Sequence, residues 1–209
     1  MSVQVSTSSF VNHRLRLVML PFFISGLAAL TYQVAWQRLM FVAFGVDLES
    51  VTIIVSAFML GLGSGALMGG RLADRYPGAV IPLFAMAEIS IGIFGLLSPA
   101  LIAMVGASTV QLSIFWVAGA NFLLLLLPTS LMGATLPMLV AFLVRSNRNV
   151  GLSIGALYAV NTLGAALGAG LVSFLAFHWL DLLQTIRVAA ALNFFAGVLV
   201  LWLFRGGRR

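Results

Sequence analysis

The chain has 209 residues, 62% of them hydrophobic and 8% charged, with a mean hydropathy of +1.13, which excludes a soluble domain and points to a polytopic membrane protein. Its net charge of +6 comes from eleven arginines without a lysine, and they sit at the ends of apolar runs, so membrane orientation explains them better than a nucleic-acid-binding face. Cysteine is absent, which excludes disulfides, thiolate metal sites and cysteine nucleophiles.

Residues 1–12 are polar and Ser/Thr-rich and read as a flexible segment ahead of a six-helix transmembrane domain over 13–205. The first helix is expected over 17–44; its far half carries Tyr32, Gln33, Trp36, Gln37 and Arg38, and Asp47 and Glu49 follow in a short turn. A second helix over 51–69 has Gly61, Gly65 and Gly69 at four-residue spacing, which makes one flat face for close helix packing. The charged stretch from Gly69 to Pro77 is expected to be a loop, because Arg71, Asp74 and Arg75 are costly near a bilayer centre.

A third helix over 80–105 contains Glu88. The fourth, over 111–144, is on the order of 50 Å long and holds Pro128 and Pro137, so a kink, a break or a strong tilt is expected. A second basic island at Arg145 and Arg148 precedes a fifth helix over 150–177, rich in small residues that include Gly164 and Gly168. A turn with His178 and Asp181 leads to a sixth helix over 185–204 and a basic tail at 206–209. His178 sits at a helix end with no second histidine placed to complete a metal site.

With both termini inside, Arg14, Arg16, Arg71, Arg75, Arg145, Arg148, Arg205, Arg208 and Arg209 all fall on the cytoplasmic side, leaving Arg187 and Arg38 near the other face. The expected location is therefore a bacterial inner membrane, multi-pass, with the N- and C-termini in the cytoplasm. Arginine-only basic usage fits a GC-rich bacterial genome.

Gly70-Arg71-Leu72-Ala73-Asp74-Arg75 after a glycine-rich helix resembles the loop signature of the major facilitator superfamily, which is built from six-helix halves. A closer resemblance is to the membrane domain of the membrane-bound spermidine synthase-like (polyamine aminopropyltransferase-like) proteins. It is carried by the run from Ser25 to Arg38, by Leu131-Met132-Gly133-Ala134-Thr135-Leu136-Pro137, and by the run from Leu157 to Gly168. The resemblance implies half of a major-facilitator-like bundle, joined in that family to a cytoplasmic aminopropyltransferase-like domain. The 209 residues contain no strand–Gly-rich loop–helix unit for S-adenosylmethionine, and Gly61-x-Gly63-x-Gly65 lies inside an apolar helix. No cofactor and no catalytic residue are therefore expected in this chain, and the resemblance fits either a truncated relative or a membrane subunit with a separately encoded soluble partner.

Glu88 is the sharpest candidate, since an ionisable group about 12 Å into a membrane helix is a functional-site hypothesis by default. It reads as a proton carrier or a counter-charge for a cationic substrate, against a structural carboxyl hydrogen-bonded to a neighbouring helix. Tyr32, Gln33, Trp36, Gln37 and Arg38 read as the lining of an outward-opening cavity or as an interfacial aromatic belt, with Arg38 reaching the headgroups or pairing with Asp47 or Glu49. Asn121, Asn161 and Asn193 near mid-depth read as interhelical hydrogen-bond glue, with Asn161 beside Tyr158 the candidate for more. Arg71, Asp74 and Arg75 read as a cytoplasmic latch or as a solvated topology signal.

Two functions follow. One is a transport-type half-module for a small, polyamine-like cation, acting as a homodimer or with a partner through the glycine faces of helices two and five. The other is a non-catalytic accessory or scaffold subunit of a larger membrane complex.

Overall fold

The computed structural model describes residues 3–44, 47–109, 114–147 and 150–205. They form six long helices: α1 Val3–Phe44, α2 Asp47–Arg75, α3 Val80–Thr109, α4 Ile114–Asn147, α5 Val150–Leu171 and α6 Leu182–Phe204. All six are long and apolar enough to cross a membrane, so the chain is a multi-pass, all-helical membrane protein. Asp47 and Glu49, expected in a turn, instead belong to the first turn of α2, while residues 45–46, 148–149 and the tail at 206–209 lie outside the described residues.

The helices pair by packing rather than by order in the chain. α2 lies along α4, α1 along α5, and α3 along α6, while α1 also meets α6 and α3 meets α4. Two core clusters fill the bundle from opposite ends. Tyr32, Trp36, Ile54, Phe58, Ile102 and Leu125 occupy one end. Leu15, Phe84, Leu139, Leu143, Leu157 and Val200 occupy the other. The second end also gathers Arg16, Arg71, Arg75, Arg145 and Arg205, while Arg38 and Arg187 lie towards the first.

Several boundaries differ from the sequence expectation, each for a local reason. α1 starts at Val3, not near residue 17, so the polar segment continues the helix backbone. The stretch from Gly69 to Arg75 is not a loop but the last two turns of α2. Leu72, Ala73 and the arginines are good helix formers, so nothing stops the helix before Pro77. Proline disfavours the helical conformation in the residue before it, and Tyr76 accordingly sits at φ −126°, ψ 62°, starting a short 3-10 turn over Pro77–Ala79.

α4 runs unbroken through Pro128 and Pro137. The Thr129 hydroxyl lies 2.8, 3.1 and 3.1 Å from the carbonyls of Leu125, Leu126 and Ala57, giving polar contact where proline disturbs the ladder. α5 passes through a π-helical segment, Val172–Ala176, into a final turn, Phe177–Trp179. α6 begins at Leu182 because Asp181 caps it: its carboxylate accepts from the Gln184 amide at 2.6 Å while the Gln184 side chain accepts from Asp181 N at 3.0 Å.

The glycine faces close inside the chain. A Cβ on Gly61, Gly65 or Gly69 would collide with Thr129, Ser130 or Ala134 of α4, and one on Gly133 with Leu62 of α2. Gly164 and Gly168 lie against the Phe23 and Leu27 carbonyls of α1. These seams are therefore occupied by the same molecule, which corrects the expectation that they offer a surface to a second copy.

Candidate functional site

Glu88 lies in the third turn of α3, where α1 and α6 cross it, and is 0% exposed. Ser25 of α1 donates from Oγ to Glu88 Oε1 at 2.6 Å, and Asn193 of α6 donates from Nδ2 to Oε2 at 2.7 Å. Small residues make the approach possible: α6 presents Ala189, Ala196 and Gly197, and a Cβ on Gly197 would stand only 3.1 Å from the Ala85 carbonyl. One carboxyl thus ties three helices together through two neutral donors.

Ser25, Tyr32 and Trp36 share the inward face of α1, and Glu88, Gly95 and Ser98 share the facing side of α3. Trp36 donates from Nε1 to Ser98 Oγ at 2.8 Å, and Ser98 donates in turn to the Gly95 carbonyl at 2.7 Å. The Tyr32 ring stacks on Trp36 with centroids 4.8 Å apart, and Phe94 meets Trp36 edge-on at 5.8 Å. Both α1 aromatics are fully buried, so neither stands at the lipid interface. The Tyr32 hydroxyl packs against Gly95 and has no hydrogen-bond partner among the described residues; the same holds for Asn193 Oδ1. A line of buried polarity therefore runs from Ser25 and Glu88 towards Trp36 and Ser98, with two unused hydrogen-bonding atoms along it.

The other candidates are dispersed. Asn161 of α5 packs its backbone carbonyl and Oδ1 against Gly26, one residue from Ser25, while Tyr158 turns outward at 61% exposure. Asn121 bonds its own helix, donating to the Val117 carbonyl at 2.9 Å. Gln33 is half-buried, and Arg38 is exposed with its guanidinium carbon 3.8 Å above the centre of the Phe177 ring. The groove at that end is lined by Gln37, Arg38, Phe41 and Val42, not by Tyr32 or Trp36.

At the opposite end, Arg145 of α4 donates to the Ala73 carbonyl at 2.8 Å and pairs with Asp74 at 3.2 Å, which fastens the end of α2 to α4. Arg71 is exposed, and Arg75 stands 5.7 Å from the centre of the Tyr76 ring. Sequence reasoning named Asp74 but missed Arg145 as its partner; it named Glu88 but missed Ser25 and placed Asn193 among structural amides. The seven-residue step from Ser25 to Tyr32, matched by that from Glu88 to Gly95, was the available signal.

No family model matches the chain, and no solved structure gives a significant match. Over 181 residues it is 28% identical to a protein named polyamine aminopropyltransferase from Corynebacterium efficiens, an alignment covering 83% of this chain and 32% of that protein. The chain spans about a third of the length of the curated relative it matches. It is a multi-pass membrane protein with a distant likeness to that relative over most of its own length.

Proposed function

We propose that the chain is a transport-type module for a small, polyamine-like cation, with Glu88 as counter-charge or proton carrier. The observation behind this is a fully buried carboxyl whose hydrogen-bond partners are both neutral. A buried carboxylate without a cation is costly, so its stable forms carry a proton or face a positive ligand. The name of the relative from C. efficiens supports a polyamine as that ligand. We place the module in a bacterial inner membrane with both termini in the cytoplasm, supported by the arginines gathered at the end that holds Arg16 and Arg205. A second six-helix unit meets the exposed faces of α2 and α5, the least covered spans. Aminopropyl transfer itself we assign elsewhere than to these helices; what supports this is that Gly61, Gly63 and Gly65 lie inside the helix α2 and not in a loop.

Uptake of a labelled polyamine into proteoliposomes tests the proposal. Glu88→Gln is expected to abolish uptake while the protein still inserts and elutes as a folded species. A scaffold role is the second reading. It is favoured by seams that close within the chain and by carboxyl oxygens that both have donors. Unchanged uptake in Glu88→Gln, or no uptake by the wild type with its partner present, decides for the scaffold.

A further inference from the structure

The end of α1 remote from the Arg145–Asp74 pair carries a second polar feature. Gln37, Arg38, Phe41 and Val42 line a groove of about 380 Å³. Their spacing puts them on two adjoining stripes of one helix face. Arg38 is exposed, and among the described side chains, which do not include those of Asp47 and Glu49, no carboxylate pairs with it. It is nevertheless held in place, because its guanidinium carbon stands 3.8 Å from the centre of the Phe177 ring. A cation held over an aromatic ring keeps its N–H donors for another partner, and the guanidinium fork matches a phosphate in bidentate fashion.

Depth and surroundings choose among anions. Arg38 is one turn from Val42, where the apolar span ends, so its head reaches the headgroup layer. Phe41 and Val42 are 45% and 74% exposed and form an apolar wall beside the charge. A soluble anion has no use for that wall, whereas the ester and first acyl carbons of a lipid do.

We propose that this groove binds one anionic phospholipid, with Arg38 and Gln37 on the headgroup phosphate and Phe41 and Val42 against the start of an acyl chain. The site is separate from Glu88 and does not depend on what the module transports.

Native mass spectrometry of the purified full chain with phosphatidylglycerol or phosphatidylcholine tests this. The wild type is expected to retain one phosphatidylglycerol in preference to phosphatidylcholine. Arg38→Ala should lower that occupancy ~5-fold, the scale of one arginine near an anionic headgroup. Arg187→Ala, which removes another exposed arginine of the same end, should leave it unchanged. Arg38→Lys and Phe177→Leu should each give a partial loss, since one removes the fork and the other the stack. Equal retention by Arg38→Ala overturns the proposal, as does equal binding of phosphatidylcholine or an equal loss in Arg187→Ala. Displacement by millimolar inorganic phosphate reassigns the groove to a soluble anion and overturns it as well. Should Arg38→Ala fail to fold, undiminished binding in both Arg38→Lys and Phe177→Leu has the same force.

Discussion

Gly63 and Gly65 lie two residues apart on α2 and should respond oppositely to the addition of one methyl group. At Gly65 a Cβ would run into the Ser130 backbone, with its carbonyl carbon 2.8 Å and its Cα 2.9 Å away. Backbone cannot rotate aside as a side-chain tip can, so α2 must move away from α4 along a seam that also includes Gly61, Gly69 and Gly133. Overpacking of this kind costs about 1–3 kcal/mol. For a chain of this length each kcal/mol lowers Tm by roughly 2–4 °C, so Gly65→Ala should lose about 2–12 °C. At Gly63 nothing lies within 4 Å. Alanine there meets no obstacle and stabilises the helix by about 0.5–1 kcal/mol through lost unfolded-state freedom. Heating each variant in detergent and following the folded peak by gel filtration measures both. A Gly65→Ala midpoint equal to the wild type, or a Gly63→Ala loss as large, would refute the placement of the α2–α4 seam.

The remaining predictions concern polar contacts and threading. Asn193→Ala leaves Glu88 Oε2 without its donor and should cost about 1–3 kcal/mol, read as a lower Tm, because a buried acceptor is orphaned. Trp36→Phe removes the bond to Ser98 and also empties the space of the buried indole's second ring, so its cost should exceed the ~0.5–1.5 kcal/mol of the bond alone. A loss no larger than that would mean the ring is loosely packed against Tyr32 and Phe94. Asp74→Asn should change stability by less than about 1 kcal/mol, since Asp74 is 82% exposed and its pair with Arg145 is solvated. The chain has no cysteine, so Arg71→Cys, Arg145→Cys and Arg187→Cys can each be labelled with an impermeant maleimide. The first two should react from one side of the membrane and the third from the other, and any other pattern breaks the six-span threading.

Span number and arginine placement were legible because each depends on how polarity is distributed along the chain. Lipid forbids charge over about twenty residues at a time, and that rule leaves a trace any window can read. Helix ends were less legible. Charge marks where water begins, but hydrogen bonding decides where a helix stops. α2 therefore carries Arg71, Asp74 and Arg75 as helix until Pro77 forces Tyr76 out of it. α6 similarly begins where Asp181 caps it and not where the apolar run becomes dense.

What meets what inside the bundle was largely hidden, and the physical reason is specific to lipid. A soluble helix announces its buried face by being apolar on one side and polar on the other. Here lipid and core are equally apolar, so Leu157, fully buried, and Leu163, 60% exposed, look alike in sequence. The glycines at four-residue spacing revealed a flat face without naming its partner, and a free copy and α4 fit that pattern equally well. Polar residues are the exception. Each must find a partner or remain costly, so Glu88 was conspicuous even though its contacts were not. Those contacts come from residues 63 and 105 positions away, which no local period encodes. Ser25 and Asn193 are ordinary by type and acquire significance only because the α1–α3–α6 crossing brings them to one carboxyl. The informative perturbations are therefore the ones that leave Glu88 in place and remove a donor from it. If Asn193→Ala were to leave both Tm and uptake intact, the carboxyl would be satisfied by something other than this crossing, and the site would have to be sought along the line from Tyr32.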